Sequence, residues 1–370
     1  MQIVRSSLRF RRHRPFVMMF GVVFAIALFA TTVQANHPTR GFRATGVATI
    51  DAATTAYHNG DLHRALEGYT RAINSGGLSR LNLAIAHFDR AVVLSDLGEH
   101  ELAIENYDQA ISLKPDEPDF YNNRGNSYHL LGEDRTAILD YDEAVRLNPD
   151  FAFAYHNRGS ALADLGASAE AVDNFNYALA LDPEMAVAYW GRARVFRIVG
   201  EFEQALSDYR IANGLNPDLD ATLNRGYVYF LLGEFTAAEN EFAAKCVFDC
   251  DLWEALGRYA ARVRLGDDAA EQLATDTGVL DLGRWPGPVV EYLLGRLNEN
   301  RLLAAARNFN SQRQREQLVM ATFFIGQNEL LNGDPDRAAD FFERTLDQDL
   351  PTWIQSTAAR EELIRLGRTP

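Results

Sequence analysis

A nucleophilic serine, a metal cluster and a redox dithiol each need particular residue types at particular spacings, and the sequence offers a near miss for each. Gly125-Asn-Ser127-Tyr-His129 begins like the Gly-x-Ser-x-Gly elbow that exposes a catalytic serine, but His129 stands where the last glycine must be. The eight histidines contain no His-Glu-x-x-His pair, and His58 and His63 are five apart, which puts them on different sides of a helix. Cys246 and Cys250 are the two cysteines, and a catalytic dithiol wants two intervening residues where this pair has three. In an oxidising compartment they can bridge if a helix ends between them; otherwise they are two small, half-buried thiols. The carboxylates sit in turns and helix starts, where they answer the helix dipole. No reaction centre emerges, so the expectation is a non-enzymatic chain with no metal and no cofactor, and a hydrolase with an unrecognised site is the weakest alternative.

What the chain does carry is a period. Residues 118–151 read as two amphipathic helices and two stops. The first helix presents Tyr121, Gly125 and Tyr128 and halts at Gly132, where the absence of a Cβ allows a left-handed conformation. The second presents Ala137, Tyr141 and Ala144 on one face and stops before Asn148-Pro149. Small residues fall where helices approach, large ones where a gap needs filling. Turn glycines recur at Gly60, Gly98, Gly132, Gly166, Gly200 and Gly233, with spacings of 38, 34, 34, 34 and 33. An alanine follows each by five places, and a Tyr or Phe four places further on.

This pattern resembles the tetratricopeptide repeat (TPR), whose period is 34 and whose motif reads Trp-x2-Leu-Gly-x2-Tyr, Ala-x3-Phe, Pro. The resemblance implies an all-α fold: a right-handed superhelical TPR solenoid of helix-turn-helix repeats with a C-terminal capping helix. Six repeats are expected over 46–250, degenerate helical repeats over 251–318, and a last repeat with a capping helix over 319–370. The first helices read Asn-Arg-Gly at 123–125, 157–159 and 224–226, with Arg where the motif has Leu. Such an Arg can lay its stem on the neighbouring helix and meet an acid such as Asp140 or Asp208. In the family, four positions of each first helix line a concave groove. Carried onto this sequence they include Asn122, Asn126 and His129, then His156, then Trp190, Arg194 and Arg197, then Tyr227. Amides, imidazoles, a Trp and two Args suit an extended peptide's backbone and one acidic or aromatic side chain. Trp190 has a second reading as core, because a helix rotated by one residue would bury it. The carboxylate clamp of some TPR domains requires lysines in first helices, and Lys114 and Lys245 are not there.

The N-terminus carries Arg5, Arg9, Arg11, Arg12 and Arg14, an apolar run from Phe16 to Ala30, and Val33-Gln34-Ala35. That order is a secretory signal peptide, 1–35, cleaved after Ala35, with a retained anchor as the alternative and a flexible leader over 36–45. Cleavage removes five arginines and no acid, moving the net charge from −15 to about −20. An acidic exported chain repels nucleic acid and attracts basic partners. No cysteine follows the apolar run, so lipid anchoring is not expected.

The back half carries a second resemblance. Trp285-Pro286-x-Pro288 leading to Tyr292-Leu293-Leu294-Gly295, then Phe323-x2-Gly326-Gln327-x2-Leu330, Gly333-Asp334 and a cap opening on Trp353-Ile354, is similar to the NlpI-type bacterial envelope TPR family over about 220–366. That resemblance implies an adaptor that brings peptidoglycan hydrolases to a periplasmic protease, and a homodimer. The expected partners are therefore other proteins, envelope proteins or extended peptides. A purely structural scaffold acting through dimerising or convex surfaces is the other reading.

Overall fold

The computed structural model describes residues 43–370 apart from Asp220 and Thr352, and side chains from position 46 onward except those of Phe248 and Asp249. The expected signal peptide and residues 36–42 of the expected leader lie outside the described residues. The described residues form nineteen α-helices and a short 3-10 turn at Pro217–Leu219, with no strand. They group into two compact units, one ending at Pro149 and the other beginning at Asp150.

The first unit holds three helix pairs: α1 (Arg43–His58) with α2 (Leu62–Asn74), α3 (Arg80–Asp96) with α4 (His100–Leu113), and α5 (Pro118–Leu130) with α6 (Asp134–Leu147). α1 starts at Arg43, ahead of position 46, where the first repeat is expected to open. The pair α5–α6 shows why the sequence folds this way. Pro118 begins α5 at the one position where a missing N–H is harmless. At its other end Gly132 sits at φ +78°, and the Glu133 N–H turns back to the Tyr128 carbonyl at 2.9 Å. α6 then buries Ala137, Tyr141 and Ala144 completely, on the one face that the spacing marks as apolar.

The second unit opens with two further pairs, α7 (Ala152–Asp164) with α8 (Ser168–Leu181) and α9 (Ala186–Val199) with α10 (Phe202–Leu215). α11 (Thr222–Leu232) and α12 (Phe235–Asp249) make the next pair, and α13 (Leu252–Leu265) with α14 (Ala269–Thr277) repeats the arrangement. A capping box starts α13: the Asp251 carboxylate accepts the Trp253 and Glu254 N–H groups, and Glu254 reaches back to the Asp251 N–H. Two short helices follow, α15 (Gly287–Leu293) and α16 (Glu299–Ala305), before α17 (Ser311–Leu331), α18 (Pro335–Leu346) and α19 (Ile354–Arg365).

α19 does more than cover the last repeat. It packs on α17 and α18 and also meets α11, more than 130 residues earlier in the chain. Since α11 also meets α13 and α13 meets α17, these four helices form a closed circuit. Its interior holds the edge-to-face pair Phe230–Phe323, 6.4 Å between ring centres. Glu362 is fully buried there, accepting from Gln327 Nε2 at 3.2 Å and facing Arg264 at 3.4 Å and Arg365 at 3.6 Å. Arg365 also donates to the Phe230 and Leu231 carbonyls, capping the C-terminal end of α11. Burial lowers the Arg365 pKa from its ordinary value, with the charge on Glu362 opposing that shift.

Candidate functional site

The Arg of each Asn-Arg-Gly segment is occupied, as are Arg90 and Arg192, which hold the same place eight residues before a turn glycine. Arg124 Nε and Nη2 donate to the two Asp140 oxygens at 2.8 and 2.7 Å. Arg192 grips Asp208 at 2.7 and 2.9 Å, and Arg225 grips Glu241 at 3.2 and 2.8 Å. Where the second helix offers an amide, the same geometry makes one bond: Arg90 Nε to Asn106 Oδ1 at 2.8 Å and Arg158 Nε to Asn174 Oδ1 at 2.7 Å. Each partner lies sixteen residues on, so in these five repeats the Arg clamps its own second helix. Arg124 and Arg192 also reach the preceding second helix, at Asp108 (2.5 Å) and Asn176 (2.6 Å). These arginines staple the solenoid.

The eight expected groove residues fare differently. In the first unit Asn122 is buried at 4% exposure, so its amide offers no surface. Asn126 is half-buried and accepts the Tyr141 hydroxyl at 2.8 Å, fixing a core ring of its own repeat. Thr54 bonds the Tyr69 hydroxyl at 2.9 Å in the same register. His129, at the end of α5, has its Nδ1 2.5 Å from Asp134 Oδ1. In the second unit His156 is half-buried with its ring tilted on Phe175, centres 5.6 Å apart. Trp190 is half-buried edge-on to Tyr209, centres 6.4 Å apart, so part of its surface is core and part is open. Arg194 stands one turn on, 28% exposed, with Nη2 on Asp164 Oδ1 at 2.6 Å.

Besides Asn122, two more of the eight are not available. Arg197 is 5% exposed beside the Tyr209 hydroxyl, and burial pushes its pKa below the ordinary value. Tyr227 is 2% exposed because α19 lies over it and brings Gln355 to its hydroxyl. The same closure buries Phe230. From α11 onward the first-helix face is core.

The register contains two further residues of this face that the sequence reading passed over. Val47 and Ile85 stand thirteen places before their turn glycines, one turn ahead of the position that Asn122 and Trp190 hold, and they remain 41% and 38% exposed. The glycine spacing alone could have found them. Of the residues weighed for chemistry, Ser127 is fully buried and donates to the Asn123 carbonyl at 3.3 Å, so it is no nucleophile. Cys246 and Cys250 are joined in a disulfide, and α12 ends at Asp249 with Cys250 extended, which is the helix end that such a bridge demands. Two carboxyls are raised furthest, Asp89 to about 7 by burial and Glu254 to about 8 by burial and by Asp251 beside it. Glu254 is accounted for by its capping box.

Comparison with known proteins agrees with this geometry. Residues 93–132 and 125–166 match a TPR repeat model, and 154–185 and 191–247 match models described as tetratricopeptide repeat. The lipoprotein NlpI homolog of Haemophilus influenzae is 26% identical over 148 residues, covering 39% of this chain and 47% of that protein. The chain thus spans about half the length of the curated relative it matches. Among solved structures, a tetratricopeptide repeat protein from Parabacteroides merdae superposes with a TM-score of 0.54 at 19% identity, over 68% of this chain and 98% of that one. PilW, titled a widely conserved type IV pilus biogenesis factor, gives 0.50 at 22% identity, over 55% and 93%. At these identities the two structures speak for the fold. The chain carries tetratricopeptide repeats, and over 148 residues it is similar to a lipoprotein NlpI homolog.

Proposed function

We propose that this protein is a non-enzymatic adaptor of the bacterial cell envelope, which holds an extended segment of one protein on its first-helix faces and presents it to another. The observation that carries the reading is the pair Trp190 and Arg194. They lie one turn apart on α9, both partly exposed, each oriented from behind by a residue of its own unit, Tyr209 and Asp164. A half-open indole beside a guanidinium suits an aromatic or acidic side chain of a bound peptide. In the first unit, Val47 and Ile85 offer apolar surface one turn earlier in the repeat than the Trp190 position. The basic and apolar N-terminal stretch supports export, and the NlpI resemblance supports a place in peptidoglycan hydrolase turnover or envelope biogenesis. Among the described residues no helix is long and apolar enough to cross a membrane.

The test is a crosslinked pull-down from the native envelope with Trp190→Ala and Arg194→Ala, beside Leu139→Ser as an exposed control on α6. Either site change weakens capture by about 1–3 kcal/mol, the range of an interface hot spot, with the melting temperature near that of the parent. Capture that survives both changes and is lost only when 284–366 is altered would favour the alternative, a structural scaffold or homodimer working through other surfaces.

A further inference from the structure

In a chain of net charge −15, residues 296–315 hold five arginines and one acid. That acid, Glu299, is taken by Arg337 of α18, and Arg296 is paired with Glu291 at 3.3 Å. Among the described residues no carboxylate pairs with Arg301, Arg307, Arg313 or Arg315, and all four are exposed. In their midst, on the loop between α16 and α17, the Phe309 side chain is fully exposed. Folding gains nothing from this arrangement. An apolar ring in water forgoes the stabilisation of burial, and Arg313 sits in the first turn of α17, where the helix dipole opposes a cation.

We propose that this loop docks the protein on an anionic phospholipid surface, with Phe309 entering the interfacial layer and the arginines beside it, Arg307 and Arg313 foremost, meeting lipid phosphates. Charge complementarity gives the sign of the partner. The neighbours of Phe309 decide between a bilayer and an acidic protein. Residues 307–315 read Arg-Asn-Phe-Asn-Ser-Gln-Arg-Gln-Arg, with no second apolar side chain to ring the phenyl. A protein hot spot needs such a ring to exclude water, whereas a bilayer interface accepts a lone aromatic flanked by cations. The acidic remainder of the molecule does not cancel the attraction, since screening confines it to about 8–10 Å. The docking surface is independent of the Trp190 face, so either reading can fail without the other.

The experiment is vesicle co-sedimentation of the full chain recovered from the soluble extract. It compares phosphatidylethanolamine vesicles containing about a third phosphatidylglycerol with neutral phosphatidylcholine vesicles, at low and high salt. The protein is expected to sediment with the anionic vesicles alone and to be released by salt. Arg307→Glu with Arg313→Glu lowers the bound fraction about tenfold or more, and Phe309→Ser lowers it severalfold, with unchanged melting in both variants. Equal sedimentation with neutral vesicles, or anionic binding that both variants retain, overturns the proposal. So does an absence of vesicle binding accompanied by charge-dependent retention on immobilised polyglutamate, which would assign the patch to an acidic protein.

Discussion

Arg124 and Asp140 meet through two parallel N–H···O bonds of 2.8 and 2.7 Å, sixteen residues apart on the two helices of one repeat. Burial disfavours the Arg124 charge, yet the carboxylates of Asp140 and Asp108 outweigh it and hold its pKa above the ordinary value. The side chains are 20% and 8% exposed, so the pair is mostly out of water but not sealed. Asp140→Ala leaves that arginine half-served and should cost about 1–3 kcal/mol by denaturant melting. Arg124→Leu with Asp140→Leu restores the apolar residue of the repeat motif and should recover most of the loss. If the double variant is no more stable than Asp140→Ala, the penalty does not come from the orphaned charge.

Close approach is tested at Gly159. A Cβ there would lie 3.1 Å from the Phe175 ring and 3.2 Å from the Ala171 carbonyl oxygen, and the backbone oxygen has no freedom to retreat. Gly159→Leu is expected to cost about 1–3 kcal/mol by overpacking the α7–α8 pair. A melting temperature equal to the parent's would mean that the two helices separate more readily than their geometry implies.

Asp89 gives the first unit a pH dependence. Burial raises its carboxyl from 3.8 to about 7, while a hydrogen bond from Tyr69 opposes the rise. A folded-state pKa above the unfolded one means the fold favours the protonated form. The stability this contributes is complete below about pH 4 and is lost as pH rises toward 7. Asp89→Asn stays neutral throughout, so it should gain on the parent as pH goes from 4 to 8, by about 1–4 kcal/mol at the upper end. A gap that does not change with pH sinks this account.

The Cys246–Cys250 bridge closes a very small loop at the end of α12. Both thiols should resist alkylation until reductant is added. Reduction should leave global melting almost unchanged, because so short a loop restricts the unfolded chain little. Full labelling of both thiols without reductant would show that the bridge is absent from the purified protein.

Local periodicity was enough to read the helix pairs. The turn glycines, the alanines five places on and the rings beyond them describe interactions inside one repeat, and one repeat lies within about 34 residues of sequence. The Arg staples were legible for the same reason: within its own repeat, the acid that meets Arg124 or Arg192 sits sixteen places later, on the partner helix. The register also marks the first-helix face, and extended to the first two repeats it would have found Val47 and Ile85. It could not say where along the chain that face stays open. Tyr227 stands in the same register as Arg194 and Asn126, Arg197 in that of His129, and both are buried. Tyr227 is buried because α19 returns to α11, so that Gln355 faces its hydroxyl and Arg365 holds carbonyls more than 130 residues away. No repeat period encodes a contact of that length. It depends on how small rotations accumulate from α11 through α13 and α17, which is a property of the folded chain and not of any segment of it.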